Sequence, residues 1–240
     1  DMAGVGSAIL AFRVADIERR SGKAVEAAVL SLSRRTEALL QSIESKLSLI
    51  AGVAAFASAS DLEALVDRAV KDDSEVDAAY VLDGRGIAAA VGLRSGLEAR
   101  REALRGGDFS NNPLFGALRG GDGSAWSDKF VSGVSGSVTV GAAARRGGYV
   151  AIAETPFGYI LETLLLAAGS GETALMVIDG RGEVVADSGG TFRPGVDNLL
   201  GMPAIAGLIG GEASGRARLD GRRSQLAAAR SELLGWTFVA

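Results

Sequence analysis

Histidine and cysteine are both absent from the 240 residues. Their absence removes Ser-His-Asp and Cys-His nucleophiles, thiolate zinc sites, histidine metal ligands and the imidazole pH switch. The groups left for chemistry are carboxylates, Lys, Arg, Tyr and Ser, as in glycosidases that work with a carboxylate pair. Asp128, Glu154 and Asp187 are the carboxylates to weigh for such a hydrolase. Asp187 stands in the second copy of a repeated segment, so a convergent pair is not expected, and neither a catalytic centre nor a metal or cofactor is predicted. A chain without cysteine also suits an oxidising compartment.

The aromatic residues are unevenly placed. Seven of the 13, namely Phe109, Phe115, Trp126, Phe130, Tyr149, Phe157 and Tyr159, fall between positions 109 and 159. Small-molecule sites are mostly apolar, with a few convergent polar groups. The other use of such rings is the core of a small sheet. Trp126 and Phe130 are the better pocket candidates. Lys129 and the pair Arg145 and Arg146 are the nearest cations for an anionic ligand, the pair lying in a Gly-rich turn where solvent is its expected partner. Gly120-Gly-Asp-Gly-Ser124 and Gly169-Ser-Gly-Glu-Thr173 share only glycine content with phosphate loops, lacking the Gly-Lys-Ser/Thr ending, and read as turns.

The elements that must position these residues begin with a helix. From Leu10 to about Ala57 there is no Pro, and Leu10, Val14, Ile17, Val25, Ala28, Leu32, Leu39, Ile43, Leu47 and Ile50 recur near the helical period. This predicts one long spine, with Val29, Leu40 and Val53 as a second face on which a copy of the chain can pack. Ser60-Asp-Leu-Glu63 reads as the capping box of a second helix. Strand-like sequence starts at Asp77. Ala78-Ala-Tyr-Val-Leu-Asp-Gly-Arg-Gly-Ile-Ala-Ala-Ala90 then returns 96 residues later as Ala174-Leu-Met-Val-Ile-Asp-Gly-Arg-Gly-Glu-Val-Val-Ala186, identical at seven of 13 positions. Each copy reads as strand, Asp-Gly-Arg-Gly turn, strand. A later pair of strands recurs as well, Val138–Ala144 with Tyr149–Ala153 matching Gln225–Arg230 with Trp236–Ala240. Between the repeats, Thr155-Pro156 reads as the cap and first residue of a connecting helix through Ile160, Leu161, Leu164 and Leu165 to Gly169.

The expected architecture is therefore α+β: a long N-terminal helix and two tandem PAS-like modules, each an antiparallel sheet of two strand pairs with flanking helices. The boundaries read as 1–58 for the spine helix, 59–155 for the first module, 156–169 for the connecting helix and 170–240 for the second module. Hydrophobic residues are 48% and charged residues 22%, a globular balance that excludes disorder. The net charge of −4, with Lys and Arg scattered, excludes a nucleic-acid partner. The uncharged runs Leu47–Ser60 and Asn198–Gly211 are 14 residues each and the longest, Phe130–Ala144, is 15, so no membrane span or signal peptide is expected in these residues.

The long helix, the tandem modules and the final aromatic strand together resemble the double Cache domain, the extracytoplasmic sensor of many bacterial receptors. The segments carrying the resemblance are Ala79–Gly86, Phe109–Leu118, Tyr149–Tyr159 and Gly171–Asp179. The resemblance implies a periplasmic small-molecule sensor of a membrane receptor, held to the membrane by flanking segments, with the ligand in the first, membrane-distal module and a kinase, chemoreceptor or cyclase output after Ala240. It also implies a homodimer through the spine helix; a structural dimerisation module without a ligand is the alternative. Amino-acid-binding members carry an Arg, two adjacent aromatics, a further aromatic with an acid, and an Asp ending a strand. Here Asn112 stands at the Arg position, Leu114 and Phe115 at the aromatic pair, Phe130 and Ser132 at the aromatic and acid, and Glu154 at the final Asp. The implied ligand residues are thus Asn112, Phe115, Trp126, Phe130, Ser132 and Glu154. Without the bidentate guanidinium a standard α-amino acid is less expected than an amine or a neutral ligand. Asn112 before Pro113 also reads as a helix cap, and Glu154 as the residue before a helix start. In the second module, Asp187 and Met202-Pro203 would line a smaller cavity, and that module is expected to transmit.

Overall fold

The computed structural model describes residues 2–71, 75–168, 174–219 and 221–240. Its first element is α1 (Met2–Ala54), followed by α2 (Ala59–Lys71), β1 (Ala78–Leu82), β2 (Ala88–Leu93), α3 (Arg101–Leu104), α4 (Pro113–Ala117), β3 (Gly123–Val131), β4 (Val138–Arg146), β5 (Tyr149–Pro156) and α5 (Phe157–Ala168). Then come β6 (Met176–Ile178), β7 (Val184–Asp187), α6 (Pro203–Ile209), β8 (Ser214–Leu219), β9 (Arg222–Arg230) and β10 (Thr237–Val239). The chain divides into two compact units, one of Ala38–Thr163 and one of Asp1–Glu37 with Leu164–Ala240. No helix of the described residues is long and apolar enough to cross a membrane.

Both sheets are antiparallel and five-stranded with one strand order, β2-β1-β5-β4-β3 in one unit and β7-β6-β10-β9-β8 in the other. The sequence reading expected two strand pairs per module and missed the edge strands β3 and β8. β3 opens in the Gly120–Ser124 stretch read as a turn, and its pairing with β4 shifts between Trp126 and Lys129. A one-residue slip reverses inward and outward positions, so a bulged edge strand lacks clean alternation.

In the 38–163 unit, α1 and α2 cover one sheet face. That face is lined by Ala79, Val81, Ala90, Ala142, Ala144, Ala151 and Ala153, small residues that let Ile43, Leu47 and Ile50 of α1 and Leu62, Val66 and Val70 of α2 sit low on the strands. The approach is closest at Gly92, where a Cβ would stand 2.5 Å from the Val66 carbonyl oxygen. The other face carries the large side chains, Tyr80, Leu82, Val91, Leu93, Val150 and Ile152, which pack under Leu114, Phe115 and Leu118. Fully burying such a side chain is worth about 1.5–3 kcal/mol.

Among its described side chains, α1 buries a stripe that includes Val29, Leu32, Leu40, Ile43, Leu47 and Ile50. Val29 and Leu40, expected on a second face, belong to this same stripe, because helical positions three and four apart share a side. The side chains of Leu10, Val14, Ile17, Leu161, Leu164 and Leu165 and the Gly169–Thr173 segment lie outside the described residues. Helix α2 is capped by Ser58 rather than Ser60: Ser58 Oγ accepts from Asp61 N at 3.2 Å and donates to Asp61 Oδ2 at 2.6 Å. Pro156 ends β5 opposite Thr139, so the Thr155-Pro156 pair closes a strand and α5 starts one residue later.

The internal repeat is reproduced atom by atom. Asp83 Oδ1 accepts from Arg85 N and Ile87 N at 2.8 and 3.0 Å, and Asp179 Oδ1 from Arg181 N and Glu183 N at 2.9 Å each. Gly86 and Gly182 close the two turns at φ 89° and 81°. After each turn the second strand meets a segment leading to a helix with proline in its first turn, through the bridges Ile87↔Asp108 and Glu183↔Asn198. In the second unit, Met176, Ile178, Val184, Ile205, Leu208, Leu226 and Val239 form the corresponding core.

Candidate functional site

Glu154 organises the site. It lies on the central strand β5, opposite Ala78 of β1 and Gly141 of β4, and strand alternation puts it on the face of Val150 and Ile152, away from α1 and α2. Its side chain is 9% exposed. Tyr80 Oη donates to Oε1 at 3.0 Å, and Ser132 Oγ donates to Oε2. Ser132 Oγ accepts in turn from Val134 N and Ser135 N at 3.0 and 3.1 Å, which ties the β3–β4 loop to the carboxylate. Burial pushes the Glu154 carboxyl above its usual range and the charge of Asp77 adds to that, against the two hydroxyl donors, which favour the anion. The Tyr80 phenol is also pushed up, first by burial and then by Glu154. Among the described residues, no Lys or Arg side chain bonds Glu154.

An apolar wall stands beside this carboxylate. A Cβ at Gly141, the register partner of Glu154, would meet Leu114 Cδ1 at 2.8 Å, Ser127 Oγ at 3.2 Å and Phe130 Cε1 at 3.4 Å. Leu114 and Phe130 therefore close over the one β4 position without a side chain. Ser127 Oγ accepts from Gly141 N at 2.8 Å. Tyr80 packs against Phe109 with ring centroids 5.1 Å apart.

Of the six residues named from the sequence, Phe130, Ser132 and Glu154 come together here. Phe115 is buried in the core of the same face, with the Arg119 guanidinium 5.8 Å from its ring centroid. Asn112 acts as the cap, Oδ1 accepting from Leu114 N at 2.9 Å, so it positions Leu114. Trp126 is on the opposite face: it packs with the α1–α2 core, and Nε1 donates to Glu44 Oε1 of α1 at 2.7 Å. The bulge between Trp126 and Lys129 is the reason, since it puts Trp126 and Phe130 on different sides despite their even spacing.

The anion candidates have other partners. Lys129 Nζ lies 5.3 Å from the Phe157 ring centroid. Arg145 and Arg146 extend β4 rather than sitting in the turn, and their Nη1 atoms donate to the Leu118 and Arg145 carbonyls. Asp187 accepts from Gly189 N and Phe192 N at 2.9 and 2.7 Å, holding its own turn. Among the described residues no cluster of three or more acidic side chains is arranged to hold a metal. A small apolar cleft between α1, α2 and the sheet, lined by Ile43, Leu47, Val70 and Ala153, has room for about one water-sized group.

Two residues that act on Glu154 went unnoticed in the sequence. Tyr80 is the one polar tip in the strand Ala-Ala-Tyr-Val-Leu, and a buried phenol needs a partner, which was the available signal. Asp77 is 1% exposed, and its backbone N donates to the Glu154 carbonyl at 2.9 Å. Arg94 Nη1 pairs with Asp77 Oδ1 at 2.9 Å.

No family model and no curated protein sequence matches the chain. Solved structures do. The sensory domain of the Campylobacter jejuni chemoreceptor Tlp3 with isoleucine bound superposes with a TM-score of 0.72 at 10% identity, over 94% of this chain and 93% of that one. The ligand-binding domain of the Pseudomonas fluorescens chemoreceptor CtaA in complex with L-isoleucine gives 0.66 at 11%, over 95% and 94%. The extracellular domain of a protein described as a histidine kinase gives 0.63 at 12%, over 94% and 91%. With its tandem α+β modules, the chain has the fold of these sensory domains, in agreement with the double Cache resemblance carried by its sequence.

Proposed function

We propose that the chain is the extracytoplasmic sensor domain of a membrane receptor and binds a small molecule beside Glu154, in the module read as residues 59–155. The observation that supports this reading is a buried carboxylate with two hydroxyl donors among the described residues, facing an apolar wall. An ionised carboxylate has about four acceptor positions, so two remain for a ligand. The proposed ligand contacts are Glu154, Ser132, Phe130, Leu114 and Tyr80, with Asn112 and Phe115 supporting them. Relatives in fold bind isoleucine through the sensory domains of Tlp3 and CtaA.

A route for the signal follows from β3. Phe130 meets the ligand on one face of this edge strand, and Trp126 holds α1 through Glu44 on the other. A ligand that binds one arrangement of β3 better than another shifts the population of α1 positions by its differential affinity. Homodimerisation is the companion proposal: Leu49 and Val53 of α1 and Phe56 just beyond it lie at helical spacing and are exposed, Phe56 by 91%, and a second copy of α1 is their occupant. Sedimentation of the purified chain and of Leu49→Lys tests it; a monomeric wild type refutes it.

A thermal-shift screen against amino acids, organic acids, amines, purines and sugars tests the sensor reading. A ligand at about 100 times its dissociation constant adds about 2.7 kcal/mol of stability. One responding class, lost in Glu154→Gln, is the expected result. Silence across the panel from an intact fold refutes the sensor reading and leaves the dimerisation module.

A further inference from the structure

We infer that the β8–β9 hairpin is a membrane contact, with Arg216, Arg218, Arg222 and Arg223 resting on the anionic phosphate layer of the bilayer that holds the receptor. The inference rests on the membrane-receptor part of the reading above and concerns a surface other than the ligand site.

Three observations carry it. The first is charge. Between Ser214 and Gln225 the sequence holds those four arginines against a single acid, Asp220, in a chain whose net charge is −4. Along β8 the residues alternate, Ser214, Arg216 and Arg218 exposed and Gly215, Ala217 and Leu219 half-buried. The register sets Arg218 directly opposite Arg223. Like charges facing each other across an antiparallel pair are destabilising, and an anionic surface relieves that repulsion. Arg218 Nε donates to the Gly221 carbonyl at 2.8 Å, which ties this arginine to the turn. The guanidinium fork matches the oxygens of a phosphate.

The second is direction. Glu37 Oε1 of α1 accepts from Glu232 N at 3.0 Å, and a Cβ at Gly22 would stand 3.1 Å from Gln225 Nε2. Going back along α1 from Glu37 to Gly22 covers about 22 Å, and going back from Glu232 to Gln225 covers about 23 Å, so the helix lies along β9 with its earlier residues toward the hairpin turn. β10 runs the same way, Thr237 pairing with Arg230, Val239 with Ala228 and Ala240 bonding Ala227. The third is level. Arg13 lies about 14 Å before Gly22 along the helix, and Gly221 about 13 Å beyond Gln225 along the strand. The turn is therefore level with Arg13, the first charged residue after the uncharged stretch Met2–Phe12, which α1 carries beyond it. That stretch is too short to span a bilayer, but a helix that enters one passes from charged to uncharged sequence at the headgroups. Anionic lipid attracts arginine at that depth.

The experiment is cosedimentation of the full chain with vesicles of phosphatidylcholine alone and of phosphatidylcholine with about one third phosphatidylglycerol, at about 20 and about 500 mM salt. The expected result is binding to the anionic vesicles, lost at the higher salt. Arg216→Gln weakens partitioning about fivefold, and Arg216→Lys, which keeps the charge, retains it. Arg85→Gln, which removes an equally exposed arginine from a turn of the other unit, leaves it unchanged. Equal binding to neutral vesicles, no binding to either, no effect of Arg216→Gln, or an effect of Arg85→Gln as large as that of Arg216→Gln overturns the inference. The thermal-shift screen contains no lipid, so a ligand response without vesicle binding overturns this inference alone. Vesicle binding of the expected pattern with a silent ligand panel overturns the ligand-sensor reading alone.

Discussion

Replacing Tyr80 by Phe removes one oxygen atom and little else. The ring keeps its packing on Phe109, while the hydroxyl that donates to Glu154 Oε1 at 3.0 Å is lost. Glu154 is nearly buried, so water does not restore the missing donor. A hydrogen bond to a charged group is worth about 1.5–3 kcal/mol, and that is the expected loss when Glu154 is ionised. The pH dependence has a defined sign. The Tyr80 bond favours the anion, so its loss raises the folded-state pKa of a carboxyl that burial has already raised. A folded pKa above the unfolded one means stability that is complete below the unfolded value and lost as pH rises through the folded value. The variant loses more over that rise, so the gap between wild type and Tyr80→Phe widens from acid to alkaline pH. Urea unfolding followed by circular dichroism at about pH 4, below the ordinary carboxyl range, and again at about pH 8 measures it. A gap below about 0.5 kcal/mol at the higher pH, or one equal at both, refutes the account of Glu154 as a buried anion held by Tyr80.

Gly92→Ala places a methyl 2.5 Å from the Val66 carbonyl oxygen, a backbone atom that cannot rotate away, and is expected to cost about 1–3 kcal/mol, read as a lower melting temperature. Asn112→Ala removes the α4 cap and costs about 1 kcal/mol by the same measurement, with Asn112→Asp retaining most of it. Trp126→Phe loses the bond to Glu44 and lowers the melting temperature by an amount equivalent to about 1–2 kcal/mol; an unchanged melting temperature refutes that contact.

Local information was enough for much of the architecture. A proline-free run with apolar residues at helical spacing specifies α1, since each side chain's direction follows from its own position along the helix. The Asp-Gly-Arg-Gly turns are likewise self-contained, with the Asp83 and Asp179 carboxylates bonding residues two and four positions on. For the same reason the Asn112 cap was legible, and the 96-residue repeat announced two like modules. Glu154 was legible as a ligand-binding candidate through the resemblance alone.

The rest depended on pairings between distant residues. Tyr80 reaches Glu154 across 74 positions only because β1 and β5 adopt the register Ala78↔Glu154. Trp126 and Phe130 looked equivalent until a bulge in β3 turned one toward α1 and the other toward Glu154. Val29 and Leu40 looked available to a second chain, yet both are buried in the stripe they share with Leu32 and Ile43. Helix and turn geometry is written in neighbours within four residues, whereas a strand's buried face is chosen by register, which a single inserted residue reverses. The sequence by itself determined the elements and their repetition, and the tertiary structure decided which side chains share the carboxylate's face.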